Sequence, residues 1–271
     1  MDFGGYNCIE LYHNPTVTCL MIELRDITKS FDGVEVLKGI CMTFEPGKTN
    51  SIIGQSGSGK TVLLKCLLGL HQPDGGTMHF NHQAFGEMNE DERRTLRREM
   101  GMVFQSSALF DSMTVLENVM FPMQMLTKQS ETAMRKAAEE VIERVNLVDA
   151  NHKLPAELSG GMQKRVAIAR AVVMKPKYLF CDEPNSGLDP QTAIVIDNLI
   201  REITQENNIT TVINSHDMNS VMEIGDTILF LKNGVKAWEG SKELIFKTDN
   251  EAINDFVYSS NLMKKVKEVY Q

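Results

Sequence analysis

The sequence predicts an α/β fold with a mixed, largely parallel sheet for this chain of 271 residues. In the second half, short apolar runs of strand length alternate with helical segments, which is typical of parallel strands joined by helices. A glycine-rich turn at residues 54–61 lies between an apolar strand and a helix, which is a unit of the parallel type. The content of 42% hydrophobic and 24% charged residues is that of an ordinary globular protein.

Composition narrows the function classes. A net charge of -8 argues against a nucleic-acid-binding protein, because such proteins usually present an excess of basic residues. The five cysteines are odd in number and form no C-x-x-C pair, so they indicate free thiols in a reducing compartment. We find neither an apolar run of about 18 residues, the length of a membrane span, nor a signal peptide. We therefore expect a cytoplasmic protein whose membrane role, if any, depends on a partner.

The first 20 residues show no periodic pattern, whereas residues 21–27 alternate between apolar and polar side chains and predict a strand. We interpret Met21 as the natural start and residues 1–20 as an upstream extension or a loose tail. A short ordered N-terminal arm is the alternative. The sequence then predicts one domain over residues 21–246 and a C-terminal helix or tail over residues 247–271.

The N-terminal part predicts an antiparallel β subdomain of short strands separated by turns. After the strand at 21–27, strands are expected at 34–37, 40–44 and 77–80, with turns at 29–33, 45–48 and 73–76. Residues 49–53 predict the buried strand before the glycine-rich turn.

Residues 106–175 predict an α-helical subdomain inserted into the α/β core. It follows a solvated helix at 87–98 and a short strand at 101–104, and one of its helices starts after Ser130, a typical capping residue. The remaining elements return to the α/β pattern: strands at 178–181, 210–214 and 227–231, helices at 190–204 and 217–224, and an Asn233-Gly234 hairpin turn.

The glycine-rich turn matches the phosphate-loop pattern G-x-x-x-x-G-K-[ST], and its strand–loop–helix context is the one that this pattern requires. Its glycines let consecutive N–H groups turn onto a phosphate, and the helix N-terminus adds partial positive charge. Lys60 can reach the β- and γ-phosphates, and the Thr61 hydroxyl can ligate Mg²⁺. The predicted nucleotide-binding residues are Gly54, Gln55, Ser56, Gly57, Ser58, Gly59, Lys60 and Thr61.

Polar side chains follow three other predicted strands. Asp182 lies at the carboxyl end of its strand, where it can hold Mg²⁺ opposite Thr61, and Glu183 can orient or deprotonate a water. Gln105 can contact Mg²⁺ or the attacking water, and His216 can hydrogen-bond the γ-phosphate. A purely structural role for either of these two residues is the alternative.

A second candidate anion site lies at the start of the helix after Leu158. Ser159 is a typical cap, and Gly160 and Gly161 leave the first N–H groups accessible to a phosphate. The spacing does not show whether this site serves the same nucleotide. An ordinary glycine-flanked helix start is the alternative.

Together these motifs resemble the ATPase subunits of ABC transporters, which have a P-loop NTPase core, from Met21 to about Phe246. The resemblance places the Walker A loop at 54–61, the Q-loop at Gln105, the signature at 158–162, the Walker B strand at 178–182 with catalytic Glu183, the D-loop at 186–189 and the switch histidine at His216. Phe31 lies where this family has an aromatic residue that stacks on adenine.

The resemblance implies a head-to-tail homodimer that binds ATP and Mg²⁺. Each nucleotide would lie between the Walker motifs of one chain and Ser159, Gly160, Gly161 and Asp189 of the other. It also implies an integral-membrane permease as partner, no nucleic acid, and a peripheral location on the inner face of the cell membrane. Part of residues 109–123 is expected to form a groove for a permease helix, with core packing as the alternative.

Met162, where the signature commonly has Gln, looks like the Mla-type ATPases that work with MCE-domain proteins. Residues 104–119 are similar to the same subfamily. This finer resemblance implies phospholipid or a related lipid as cargo, with an MCE-domain lipid-binding subunit as a further partner. An ABC ATPase for another cargo, such as an amino acid, metal or drug, is the alternative. A soluble ABC ATPase acting on ribosomes or DNA is a more distant one.

Overall fold

The computed structural model describes residues 20–258. The strands are β1 (Ile22–Phe31), β2 (Val34–Phe44), β3 (Thr49–Ile53), β4 (Gly75–Phe80), β5 (Gln83–Ala84), β6 (Met100–Val103), β7 (Tyr178–Asp182), β8 (Thr210–Ser215), β9 (Thr227–Lys232) and β10 (Val235–Gly240). The α-helices are α1 (Lys60–Leu67), α2 (Glu90–Arg98), α3 (Val115–Leu126), α4 (Glu131–Arg144), α5 (Gly160–Val172), α6 (Pro190–Glu206), α7 (Met218–Ile224), α8 (Lys242–Ile245) and α9 (Glu251–Val257). Most of the proposed N-terminal extension, and the end of the proposed tail, lie outside the described residues.

The larger sheet has the order β10-β9-β3-β8-β7-β6. All its neighbouring pairs are parallel except the β9–β10 hairpin, so the predicted mixed and largely parallel sheet is confirmed. Strands β3 and β8 are buried along their whole length, as expected for central strands covered on both faces. This order places the carboxyl ends of β3, β6, β7 and β8 along one edge of the sheet.

The smaller sheet is antiparallel and has the order β2-β1-β4-β5. Its inner face packs with helix α1 and one face of the larger sheet in a shared apolar cluster. The expected turn at 29–33 is wrong in extent, because β1 continues to Phe31 and only Asp32 and Gly33 form the turn. The two strands expected at 34–37 and 40–44 are one strand, β2. Gly39 adopts a positive φ of 76° there and lets the strand continue through an irregularity in register.

Helices α3, α4 and α5 lie between β6 and β7 in the chain and share an apolar cluster with α6. Their starts are defined by side-chain caps, since Thr114, Ser130 and Ser159 each accept a backbone N–H of the first turn. The predicted cap at Ser130 is therefore confirmed. Among residues 20–258, no helix is long and apolar enough to cross a membrane.

The expected hairpin turn at Asn233-Gly234 is also confirmed. Both residues have positive φ values, 53° and 82°, as the tight turn between β9 and β10 requires. A Cβ on Gly234 would lie 2.3 Å from the carbonyl oxygen of Val36, so glycine is needed here for close packing against β2 as well.

Candidate active site

The glycine-rich loop connects the buried strand β3 to helix α1, which starts at Lys60. Gly54, Gly57 and Gly59 all have positive φ values, of 152°, 80° and 105°. At Gly54 the packing is closed as well, because an added Cβ would lie 2.3 Å from the carbonyl oxygen of Leu231. At Gly54 the backbone therefore adopts a course that a side chain would block, and a loop of this kind can direct consecutive N–H groups at an anion.

Lys60 closes this loop from inside. Its buried ammonium donates to the carbonyl oxygens of Gly54, at 2.8 Å, and Gln55, at 3.2 Å. Burial lowers the pKa of Lys60, whereas the negative charges of Glu183 and Asp182 act in the opposite direction. In the same loop, the Ser58 hydroxyl is buried without a hydrogen-bond partner in the described structure. A buried orphan hydroxyl and a desolvated cation fit an anionic ligand.

The structure brings Glu183, His216 and Gln105 together at the carboxyl edge of the large sheet. The Glu183 carboxylate accepts a hydrogen bond from Gln105 Nε2 at 3.1 Å and lies 2.9 Å from His216 Nδ1. Glu183 has a φ of 47°, a strained value for a residue with a long side chain. Its N–H donates to the carbonyl oxygen of Asn214 at 3.0 Å, which holds this backbone in place.

Asp182 lies at the end of β7, next to β8. Its Oδ1 accepts a hydrogen bond from the Asn214 amide at 3.0 Å, the kind of support that orients a metal-ligating carboxylate. Asn214 Oδ1 is itself buried without a partner in the described structure, and a water bound to a cation would supply the missing donor. Mg²⁺ prefers oxygen ligands and keeps several waters. Asp182 and the exposed Thr61 would therefore hold it, while the contact of Gln105 with Mg²⁺ stays a prediction.

The residues at the start of α5 have other contact partners than Glu183, His216 and Gln105. Ser159 Oγ accepts the Met162 N–H at 3.3 Å, and Ser159 and Gly160 are both exposed. Behind them the helix packs on the first turn of α6, since a Cβ on Gly161 would lie 2.6 Å from Thr192 Cγ2. Asp189 is exposed and caps α6, accepting the Thr192 N–H at 3.0 Å. Ser159, Gly160 and Asp189 are therefore accessible to another molecule.

Phe31 ends strand β1 with 38% of its surface exposed. The edge-to-face contact with His71, at 5.2 Å between ring centroids, fixes the ring, and the Lys29 ammonium lies 5.4 Å from its centroid. Lys29 is in turn paired with Asp74 at 2.6 Å. A partly exposed and oriented aromatic ring fits the predicted stacking on a base.

Sequence reasoning missed Lys164 as a site residue. This lysine lies on the buried face of α5, and its ammonium donates to the carbonyl oxygen of Gln105. Burial lowers the pKa of Lys164, while Cys181 and Glu183 oppose that change. The available signal was a lysine at helical spacing among alanine, valine and isoleucine residues, a position that an apolar side chain normally takes.

The fold and this site define a phosphate-loop protein that binds a nucleotide and hydrolyses it. A family model described as ABC transporter matches residues 37–186. The methionine import ATP-binding protein of Clostridium tetani is 38% identical over 232 residues, 85% of this chain and 73% of that protein. The arginine transport ATP-binding protein of Bacillus subtilis is 37% identical over 240 residues, 88% of this chain and 98% of that protein. The chain belongs to the ABC transporter ATP-binding family and is an ATPase that uses ATP with Mg²⁺.

Solved structures agree with this assignment. The dimeric structure of a bacterial ABC transporter cassette aligns with a TM-score of 0.74 and 32% identity, over 82% of this chain and 98% of that chain. A second structure of that cassette, in a post-hydrolysis state bound to ADP and phosphate, aligns with a TM-score of 0.73 and 33% identity over the same shares. The predicted ABC ATPase fold is confirmed.

Proposed function

We propose that this chain is the ATP-hydrolysing subunit of a membrane transporter and that it works as a head-to-tail homodimer. The observation that carries the proposal is that the chain has two glycine-rich helix starts in different surroundings, one buried at Lys60 and one exposed at Ser159. The loop at Lys60 has the Glu183 carboxylate near it. The helix start at Ser159 is exposed and needs a second molecule to complete a site. Two chains facing each other would complete two sites, and the aligned bacterial cassette is itself dimeric.

In this proposal each side chain has one task. Lys60 and the loop N–H groups bind the phosphates, and Glu183 takes a proton from the attacking water. Gln105 and His216, both in contact with Glu183, fix the orientation of its carboxylate. Ser159, Gly160, Gly161 and Asp189 of the facing chain approach the γ-phosphate and supply N–H donors where negative charge develops. Mg²⁺, when bound, neutralises charge on the phosphate oxygens.

We place the permease contact on the segment that follows Gln105 and on α3. Several apolar side chains expected here are core residues, among them Val115, Val119 and Met120. Others form an exposed apolar surface. Phe110 is 40% exposed and packs on Phe121 with ring centroids 4.6 Å apart. Because this segment begins at a residue that touches Glu183, a change at the γ-phosphate can alter the surface presented to a permease. Such a permease would hold the chain on the inner face of the membrane.

For the cargo, the curated relatives favour an amino acid. Those named above import methionine and transport arginine, and a third, the L-cystine import ATP-binding protein of Bacillus subtilis, is 37% identical over 234 residues. They support the importer alternative better than the lipid expectation. Lipid stays the second candidate, because Met162 in the signature and residues 104–119 favour it, and with it goes an MCE-domain subunit.

Purification of the tagged chain from native membranes in mild detergent, followed by mass spectrometry of proteins and lipids, tests the proposal. We expect a membrane permease to co-purify. A permease that comes with a solute-binding protein supports the amino-acid cargo, whereas an MCE-domain protein with bound phospholipid supports the lipid. Recovery only in the soluble fraction, with ribosomes or DNA-binding proteins, contradicts the transporter assignment. The Glu183→Gln variant, purified in parallel with added ATP, holds the complex in one nucleotide state.

A further inference from the structure

A buried carboxyl group on α6 is hydrogen-bonded to the segments that follow Glu183 and His216. Asp197 is on α6 and only 2% of its surface is exposed. Its Oδ1 accepts hydrogen bonds from Asn185 Nδ2 at 2.6 Å and from Ser220 Oγ at 2.9 Å. Asn185 Nδ2 also lies 3.3 Å from Ser220 Oγ, so the three side chains form a closed triangle.

The two donors belong to the two segments that carry the catalytic pair. Asn185 lies two residues after Glu183, in the turn between β7 and α6. Ser220 lies four residues after His216, in the first turns of α7. Asp197 therefore connects the segment that positions the carboxylate with the segment that positions the histidine. The 2.9 Å separation of Glu183 Oε1 and His216 Nδ1 depends on the relative placement of these segments.

The charged groups around Asp197 disfavour the ionised form of its carboxyl group. Asp217 at the start of α7 and Glu223 in the same helix both repel it, and Asp197 itself helps to raise the pKa of the buried Cys181 thiol of β7. Burial and this repulsion raise the pKa of Asp197 to about 6, although the hydrogen bonds from Asn185 and Ser220 act in the opposite direction. A buried carboxyl group that costs stability is more easily understood as a functional residue than as a structural one.

We propose that Asp197 is a positioning residue for ATP hydrolysis, whose carboxyl oxygen holds Asn185 and Ser220 together and so fixes Glu183 against His216. The proposal rests on the roles proposed above for Glu183 and His216. The essential property is an oxygen that accepts two hydrogen bonds. A charge is not needed, because an uncharged carboxyl or carboxamide oxygen can accept the same two donors.

The test compares Asp197→Leu, which removes the acceptor, with Asp197→Asn, which keeps an acceptor oxygen. A matched control is Thr204→Val. Thr204 is buried on the same helix, and its hydroxyl bonds Thr211 Oγ1 at 2.6 Å, away from the two catalytic segments. The measurements for each variant are kcat, the dissociation constant for ATP in the absence of turnover, and Tm.

We expect Asp197→Leu to lose about tenfold or more in kcat while its ATP affinity changes by less than about threefold, because a displaced catalytic group reduces rate more than binding. Asp197→Asn should keep kcat within about threefold of the wild type. Thr204→Val should lower Tm and leave kcat unchanged. Wild-type kcat in Asp197→Leu, or equal losses in the Leu and Asn variants, overturns the proposal.

If Asp197→Leu does not fold, Ser220→Ala provides the same test in a milder form, because it removes one of the two donors and leaves Asp197 in place. We then expect a loss of about threefold to tenfold in kcat with ATP affinity retained, and an unchanged kcat overturns the proposal. Failure of the proposed function is recognised separately, since in that case Glu183→Gln would hydrolyse ATP at the wild-type rate.

Discussion

The loop at Lys60 and the helix start at Ser159 are both glycine-rich and both present backbone N–H groups at the start of a helix. They differ in what surrounds them. The loop is closed by its own lysine, and the negative charges of Glu183 and Asp182, at the carboxyl end of β7, act on that lysine. The helix start is exposed, and its contacts run within its own helix and to Thr192.

This difference shows that similar local sequence does not define equivalent sites. Both segments can contact phosphate, but only one has an acid–base group of the same chain beside it. An exposed helix N-terminus without its own chemistry is useful only if another molecule supplies the rest of the site. Substitutions in each of the two segments should therefore affect different steps, catalysis or ATP binding at the loop and completion of the partner's site at Ser159.

Removing the charge at Glu183 should have the largest effect. We expect Glu183→Gln to lower kcat by about 10²- to 10⁴-fold, the usual contribution of a general base, while ATP still binds. The variant should accumulate as an ATP-bound dimer in size-exclusion chromatography. Glu139→Gln, at an exposed position on α4, is the control. Turnover near the wild-type rate would remove Glu183 from the role of base.

A bulky cationic side chain at position 159 should block the exposed helix start, which is the open half of the proposed site. We expect Ser159→Arg to lower hydrolysis by about 100-fold, comparable to the loss of donors that stabilise a transition state. The affinity of a single chain for ATP, measured by fluorescence titration, should stay within about twofold of the wild-type value, because the loop at Lys60 is unchanged. Full activity in this variant would argue against a shared site.

Removal of the Lys60 ammonium group should weaken the binding of ATP itself. The loop at Lys60 is the closed half of the proposed site. Lys60→Ala should reduce the affinity for ATP by about 10- to 100-fold, which corresponds to the loss of charge-assisted hydrogen bonds. Isothermal titration gives the measurement, and Lys65→Ala, on the exposed side of the same helix, is the matched control. Unchanged ATP affinity would contradict the role of this loop in phosphate binding.

The smallest effect is expected for the Asp197→Asn substitution, which should change mainly the stability of the folded protein. Its pKa is raised from 3.8 to about 6, so the folded state binds the proton more tightly than the unfolded chain does. The resulting stability is present at low pH and is lost as the pH rises through 6. At pH 8 the ionised group costs at most about 3 kcal/mol.

Asp197→Asn, which carries no charge, should therefore raise Tm at pH 8, and this gain should shrink as the pH falls from about 7 to about 5. Thermal unfolding of both proteins at several pH values provides the measurement. A gain in Tm that grows toward low pH would show that the sign is wrong.

The parts of the fold that local patterns define could be predicted from the sequence. The phosphate loop, the buried strands around it, the Ser130 cap and the Asn233-Gly234 hairpin depend on residue types within a few positions of one another, and the structure confirms their placement. The main error in the N-terminal sheet was the prediction of two strands at 34–37 and 40–44, which the structure joins into one continuous strand through Gly39.

The side chains behind the site could not be predicted, because they act between distant segments. Lys164 reaches Gln105 across 59 positions, and Asp197 joins residues 12 positions before it and 23 after it. No local spacing encodes such contacts. The strained backbone of Glu183 was equally hidden, since its φ of 47° is imposed by the neighbouring strand and by the turn toward α6.

The division of the site between two chains can be tested most directly by mixing two variants that are each impaired in one half of the site. Lys60→Ala destroys the closed half and Ser159→Arg destroys the open half, so neither homodimer has an intact site. A mixed dimer has one intact site, formed by Lys60 of one chain and Ser159 of the other. We predict that the ATPase activity of the mixture exceeds the summed activities of the two variants alone and stays below the wild-type rate. No gain in activity under conditions where size-exclusion chromatography shows mixed dimers would contradict the shared site.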